Sequence, residues 1–360
     1  MKVLLISADN LYLTPYISLY TELLDKHNVE YNVLYWDKNH NEPPHNNSFI
    51  RFCAERGTAI KKAYGYFLFR KAIGKTLKAQ KYELVVCLHS VSSFLICDIL
   101  LSKYKSRYVF DVRDYSFEKF LVVRLLEKQL VKHSAINIIS SEGYKAFLPK
   151  GEYEIAHNLP GESCTAYAQR VNRNISPIRI GYIGLIRFME QNKKIIDFFK
   201  NDSRFQLQFI GTNAEQLAGY CEENNVTNVK LIGTFSPEQT LAYYEDADII
   251  MNLYGNHTPL LDYALSNKLY YAAMLYKPIL VCRDTYMEKV SAQFGFGYVL
   301  DLETEKERDQ LYEYMTMLDR KKLIHNCDKF VEYARKQQTQ LKARLERFIT
   351  QIRNEGELCN

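Results

Sequence analysis

The chain has 360 residues, 47% hydrophobic and 25% charged, with a formal net charge of +5. At roughly 150 residues per domain this length implies two domains. The composition excludes a largely disordered chain, no apolar run approaches the ~18 residues of a membrane span, and so mild a charge does not by itself call for nucleic acid.

Strand-like and helix-like segments alternate from the N-terminus. Lys2–Ser7 reads as a first β-strand and no signal peptide, since its apolar run meets Asp9 and Asn10 without a small-residue cleavage site. Pro15–Lys26 carries apolar residues at helical spacing, and Glu30–Trp36 is a second strand. His40–Asn47 is a polar turn holding Pro43 and Pro44. Residues 57–80 read as helix, Leu84–Leu88 as strand, Val91–Leu101 as helix, Tyr108–Val112 as strand and Phe117–His133 as helix. Ala135–Ile139 (strand), Glu142–Leu148 (helix) and Tyr153–Ala156 (strand) complete the first half. Gly161–Pro177 is polar and irregular, as a linker is.

The alternation then restarts. Strands are expected at Ile178–Ile183, Phe205–Ile210, Val229–Ile232, Ile249–Leu253 and Pro278–Val281, with helices at Asn192–Lys200, Asn213–Glu223, Ser236–Asp246 and near Lys268–Leu275. Residues 305–357 read as charged helix. Repeated βαβ units predict two parallel-sheet α/β domains: 1–160, a linker over 161–177, and 178–330, followed by a helix over 331–360. Ligands of open α/β sheets bind beyond the C-terminal ends of the strands, and two such domains facing one another would place a site in the cleft between them.

Eight cysteines lie scattered, with no pair at CxxC spacing. That disfavours a zinc ribbon or a redox motif and suits a reducing cytoplasm. No His pair has metal-site spacing, so no metal is expected. Neither GxGxxG nor GxxxxGK[ST] occurs, which removes support from dinucleotide and P-loop readings.

The strand ends supply the candidate chemistry. In Gly181–Arg187, Gly184 permits close backbone approach and Arg187 is either a fork for phosphate oxygens or a surface cation. Ser266 is a natural cap for the helix that follows, whose first turn holds Lys268. A cation there opposes the helix dipole, which makes sense beside a bound diphosphate; the alternative is a solvated lysine. Asp114, next to Arg113, is either a general base with a lowered pKa or part of a structural ion pair. His89 and His157 follow strands and are either site residues or hydrogen-bonded interior histidines.

Residues 51–81 hold nine Lys or Arg (Lys61, Lys62, Arg70 and Lys71 among them) and one acid, Glu55, interleaved with Tyr64, Tyr66, Phe67 and Phe69. A basic amphipathic element with aromatics suits an anionic membrane surface. A core-facing helix with a solvated basic face is the plainer reading. Nucleic acid is less favoured, because no known binding module is present.

Several of these segments together resemble GT-B glycosyltransferases, the family-4-like enzymes of bacterial capsule and O-antigen synthesis. VFDVRDYSFE (109–118) is similar to the family's acceptor-domain strand and acidic loop, and INIISSEGYKAFLP (136–149) with IAHNLP (155–160) to its last N-domain unit and crossover. IRIGYIGLIR (178–187) is similar to the first donor-domain strand. FSPEQTLAYYEDADIIMNLY (235–254) with ALSNKLYYAAMLYKPILV (264–281) resembles the nucleotide-sugar-binding loop and helix. There are departures: Tyr271 stands where the family has an acid, Tyr276 where it has a glycine, Gln191 where a lysine often follows, and Ala8–Asn10 replace a Gly-rich loop.

The resemblance implies sugar transfer from a nucleotide-diphosphate sugar to a polyprenyl-diphosphate-linked glycan, at the inner face of the cell membrane, without metal or cofactor. It implies donor contacts from Gly184, Arg187, Thr212, Tyr254, Asn267, Lys268 and Tyr270, and acceptor contacts from Asn10, Arg113 and Asn158. Asp114 would deprotonate the acceptor in an inverting mechanism; Asp114 or His89 would orient the sugars in a retaining one. The alternatives are a sugar-nucleotide epimerase and a non-catalytic sugar-nucleotide or glycan binder.

Overall fold

A computed structural model describes residues 1–54, 57–161 and 176–358. Most of the expected linker over 161–177, together with Glu55 and Arg56, lies outside the described residues. The chain divides into two compact units, Met1–His157 with the chain from Lys336 onward, and Asn158–Arg335.

In the first unit the strands are β1 (Lys2–Ser7), β2 (Glu30–Trp36), β3 (Phe49–Phe52), β4 (Leu84–Leu88), β5 (Tyr108–Val112), β6 (Ile136–Ile139) and β7 (Glu154–Ile155). The helices are α1 (Ser18–Lys26), α2 (Ala59–Ala79), α3 (Ser90–Leu95), α4 (Cys97–Lys103) and α5 (Leu121–His133). All strand pairs are parallel, in the order β3-β2-β1-β4-β5-β6-β7. The central strands β4 and β5 are buried at every residue, as parallel strands covered on both faces must be. One face packs Val3, Leu5, Val33 and Val86 against Leu19 and Leu23 of α1.

The second unit holds β8 (Ile178–Ile183), β9 (Phe205–Ile210), β10 (Val229–Ile232), β11 (Ile249–Asn252), β12 (Ile279–Val281) and β13 (Gly297–Val299). Its helices are α6 (Met189–Phe199), α7 (Ala218–Glu223), α8 (Thr240–Asp246), α9 (Pro259–Asp262), α10 (Asn267–Met274), α11 (Tyr286–Phe294) and α12 (Glu305–Thr316). The sheet is again parallel, in the order β10-β9-β8-β11-β12-β13. Helix α13 (Arg320–Leu358) starts in this unit and ends in the first. Its residues Leu323, Cys327 and Phe330 enter the second unit's core, and Leu341, Leu345, Ile349 and Ile352 enter the first unit's core.

Several expectations need correction. The helix read over Val91–Leu101 is two helices broken at Ile96, whose φ of −128° is not helical. Glu142–Leu148 makes only a 3₁₀ turn, Glu142–Ala146. The helix expected from Phe117 starts at Leu121. Strands β3 and β13 and helices α9 and α11 were not foreseen; β3 is a short strand with an exposed Arg51 at the sheet edge, where one flank has no strand partner.

Both sheets reverse direction of winding once, between β1 and β4 in the first unit and between β8 and β11 in the second. The loops after those strands diverge at these points and leave a crevice for ligands. They carry Asp9–Asn10 and His89 in one unit, and Gly184–Arg187 and Tyr254 in the other.

Candidate functional site

In the second unit the loop after β8 is held by backbone and side-chain hydrogen bonds. The Gly184 N–H donates to the Ile210 carbonyl at 2.9 Å and the Ile186 N–H to that of Thr212 at 2.9 Å. The Arg187 N–H donates to the Tyr182 hydroxyl at 3.1 Å, and the Asn192 side-chain amide donates to the Arg187 carbonyl at 2.8 Å. Gly184 has φ of +118° and Gly211 φ of +138°. Both fall where only glycine sits without strain. A methyl group on Gly211 would overlap the Gly184 carbonyl oxygen. The two turns therefore touch backbone to backbone.

Lys268 closes this turn from the opposite side. Ser266 caps α10, its hydroxyl accepting the Lys268 N–H at 3.3 Å. The Lys268 side chain is buried, donates from Nζ to the Ile183 carbonyl at 2.6 Å and lies 4.5 Å from the Tyr182 ring centroid. The solvated lysine allowed for by the sequence is thus excluded. Burial depresses its pKa to about 8, with Arg187 acting in the same direction and Tyr182 against. Among the described residues neither Lys268 nor Arg187 forms an ion pair with a carboxylate. Lys268 is buried whereas Arg187 is an exposed surface cation, and an anion bound at this turn would meet both.

Tyr254 joins them, its ring 5.5 Å from Lys268 Nζ and 6.0 Å from the Arg187 guanidinium carbon. Burial raises its hydroxyl pKa, while Tyr182, Arg187 and Ser266 work the other way. Asn267 is exposed at the first position of α10. Thr212 is exposed, its hydroxyl 3.0 Å from that of Thr234. Tyr270 is not in this group: it is fully buried in the core and packs on Phe330. Its expected donor contact is therefore not available here. Tyr271, at the position of the resemblance's acid, stacks on Tyr244 at 4.2 Å and 7°.

In the first unit the structure redistributes the expected roles. Arg113 is buried and forked onto Asp111, at 2.6 Å through Nε and 2.8 Å through an Nη, and lies 4.0 Å over the Tyr16 ring. Tyr20 donates to the same carboxylate at 2.6 Å. Burial opposes the Arg113 charge, but Asp111 outweighs it and raises the pKa. The fork is thus occupied by Asp111, not offered to an acceptor. Asn10 is also fully buried; its amide donates to Asp37 at 2.6 Å and its oxygen accepts the Lys38 N–H at 3.1 Å. Burial works against the Asp37 charge, yet Asn10 and Arg51 hold its carboxyl at about 2. Both Asn10 and Arg113 are internal struts rather than open binding groups.

Asp114 and His89 do come together. Asp114 is exposed, and its Oδ2 lies 3.9 Å from His89 Nε2. His89 sits at φ +74° and caps α3, Nδ1 accepting the Val91 N–H at 3.4 Å. That acceptor role places the neutral ring's proton on Nε2, toward Asp114. Burial lowers the His89 pKa, opposed by Asp114 and Asp9. His157 is buried against Gln337 and Gln338 of α13, with its pKa lowered by burial. Asn158 follows at the boundary of the two units.

On α2, Lys61, Lys62 and Lys71 are exposed. Arg70 is not a free surface cation: it is forked onto Asp98, at 2.8 Å through both nitrogens, and also bonds the Leu95 carbonyl. Among the described residues no helix is long and apolar enough to cross a membrane, and no group of three His, Cys, Asp or Glu is placed to hold a metal ion.

No family model matches the sequence, and no curated protein matches it. Solved structures do match in fold. Sucrose-phosphate synthase from Thermosynechococcus elongatus superposes with a TM-score of 0.70 at 12% identity, covering 99% of this chain and 100% of its own. Anabaena HepE in complex with UDP and glucose gives 0.62 at 11% identity, over 95% and 98%. A putative UDP-N-acetylglucosamine 2-epimerase from Listeria monocytogenes gives 0.58 at 11% identity, over 90% of each chain. The chain has the GT-B fold of these proteins, with two parallel-sheet α/β domains.

Proposed function

We propose that the protein is a glycosyltransferase that binds a nucleotide-diphosphate sugar in its second unit and passes the sugar to a lipid-linked oligosaccharide in bacterial surface polysaccharide synthesis. The observation that carries this reading is the pairing of buried Lys268 with exposed Arg187, neither on a carboxylate among the described residues, beside the glycine turn at Gly184. A diphosphate supplies the missing negative charge, and the same two groups stabilise the charge that grows on the leaving nucleotide as the sugar–oxygen bond breaks. Thr212, Tyr254 and Asn267 are the remaining donor contacts. The fold neighbours whose names mention UDP support a nucleotide as the ligand.

Asp114 is the group assigned to the acceptor. In an inverting reaction it takes the proton of the attacking hydroxyl, with His89 Nε2–H as its neighbour. In a retaining reaction the leaving phosphate takes that proton instead. The reading places the protein at the inner face of the cell membrane, with Lys61, Lys62 and Lys71 of α2 against anionic lipid.

The test is a thermal-shift screen with UDP-, GDP-, CMP- and dTDP-sugars, repeated on Lys268→Ala. A ligand at 100 times its dissociation constant stabilises by about 2.7 kcal/mol. A selective shift lost in Lys268→Ala supports the site; no shift with any nucleotide overturns it. The epimerase among the fold neighbours supplies a second reading. Conversion of donor with no acceptor present favours the epimerase, and conversion only when a lipid-linked glycan is added favours the transferase.

A further inference from the structure

Helix α5 buries Leu130 and Val131 toward its C-terminal end but leaves apolar side chains in solvent at its N-terminal end. Its first two turns expose Leu121 (70%), Val122 (67%) and Leu125 (56%), and the residues leading into it expose Phe117 and Phe120. Two carboxylates are buried as well, Glu127 on the helix and Glu118 in the segment that precedes it. Glu127 is fully buried and neither of its oxygens has a hydrogen-bond partner. Glu118 is buried with one oxygen accepting the Ser116 N–H and the other unpartnered. A surface helix in water gains by turning its apolar residues inward, which the first two turns of α5 do not do. The ridge is a feature kept against that gradient, and contiguous exposed apolar surface of this kind marks a contact site.

The charges around it identify the occupant. Every exposed charged side chain from 117 to 132 is a cation: Lys119, Arg124, Lys128 and Lys132. Helix α3 contacts both α5 and α2, so the two belong to one helical layer. Helix α2 repeats the pattern: Ile60, Tyr64 and Phe67 are exposed at i, i+4 and i+7, and Lys71 follows with Nζ 4.6 Å from the Phe67 ring. No acid occurs in α2. A second copy of this surface would set lysines against lysines. A nucleic acid would leave the aliphatic ridge without a partner. An anionic bilayer satisfies both parts, because apolar side chains enter the interfacial zone while ammonium groups stay at the headgroup phosphates.

We infer that Phe120, Leu121, Val122 and Leu125 form a wedge that enters the interface of an anionic membrane, with Lys119, Arg124, Lys128 and Lys132 on the lipid phosphates. The inference rests on the membrane placement proposed above and names the element that inserts, α2 serving as the electrostatic contact. The basic residues supply the salt-sensitive part of the binding and the apolar wedge a salt-insensitive part.

The test is flotation of the full chain with phosphatidylcholine vesicles carrying about one phosphatidylglycerol in three lipids. The double variant Leu121→Ser, Leu125→Ser is expected to partition at least roughly tenfold less than the parent protein. A separate Leu121→Trp variant is expected to shift its fluorescence to the blue with these vesicles and not with pure phosphatidylcholine. Equal partitioning of the parent and the double variant overturns the inference. So does a lipid-free dimer of the parent that the double variant dissolves, since the ridge is then covered by a second copy. The nucleotide thermal shift is read without lipid and the flotation without nucleotide, so a failure of either reading is told apart from a failure of the other.

Discussion

Lys268 Nζ donates to the carbonyl of Ile183 at 2.6 Å across 85 positions of sequence. That single bond ties the start of α10 to the end of β8 and fixes a buried ammonium beside Gly184. It also makes the donor site sensitive to pH. The Lys268 pKa lies at about 8, depressed by burial, so the charge that would hold a diphosphate is complete below that value and lost above it. Nucleotide affinity is therefore expected to be level from pH 6 to about 7 and to fall as pH rises through about 8, as titration calorimetry would record. Lys268→Met is expected to lose at least roughly tenfold in nucleotide affinity. Its stability should stay within about 1 kcal/mol of the parent, because the lost hydrogen bond is offset by removal of a buried charge.

Gly211 and Gly219 make a matched pair of substitutions. An alanine at Gly211 is forced against the Gly184 carbonyl at φ +138°, whereas at Gly219, inside α7, an added methyl meets nothing within 4 Å. Gly211→Ala is expected to cost on the order of 3 kcal/mol and to weaken nucleotide binding. Gly219→Ala should stabilise by about 0.5–1 kcal/mol with binding unchanged. Urea denaturation of the two variants checks the contrast.

Glu127 makes the first unit's stability depend on pH in an unusual direction. Burial, with Glu118 adding to it, raises its pKa from 4.5 to about 8. Below pH 4.5 the group is protonated in the folded and unfolded chains alike. Between there and about 8 the folded protein holds the extra proton, so stability falls as pH rises. Glu127→Gln should remove that slope and stabilise the protein by on the order of 2 kcal/mol at pH 8. Unfolding curves at pH 5 and pH 8 that are parallel in both proteins would refute this.

Asn10 and Asp114 separate structure from chemistry in the first unit. Asn10→Ala leaves Asp37 without its 2.6 Å donor and is expected to cost about 2 kcal/mol of stability, with KM for the acceptor unchanged in the folded fraction. Asp114→Asn is at an exposed position and should leave stability alone. Under the proposed inverting role it lowers kcat by roughly 100-fold or more. Steady-state kinetics with saturating donor distinguishes the two.

Both parallel sheets were legible in the sequence because strands such as Leu84–Leu88 and Ile279–Val281 are unbroken apolar runs. Other features were not. Phe49–Phe52 exposes Arg51 and pairs on one side only, so little apolar patterning marks it. Arg113 was read beside its neighbour Asp114, but the residue that shares its side of the chain is Asp111, two positions back. The alternation of side chains along an extended chain held that information. The burial of Lys268 was hidden for a different reason: first-turn lysines are usually solvated, and the carbonyl that binds this one is distant in sequence. The exposed apolar start of α5 was also missed, since Leu121, Val122 and Leu125 ahead of buried Leu130 and Val131 read locally as one ordinary amphipathic helix.

Helix α13 sets the order in which the two units can be completed. Four of its residues, Leu341, Leu345, Ile349 and Ile352, belong to the same apolar cluster as β1 and α1, although more than 300 positions separate them from those elements. During synthesis the second unit is made in full while the first still lacks part of one face. The earliest part of the chain to leave the ribosome is thus the last to be sealed. A nascent chain stopped before residue 341 would carry a finished second unit and an open first one, a ready substrate for chaperones and proteases.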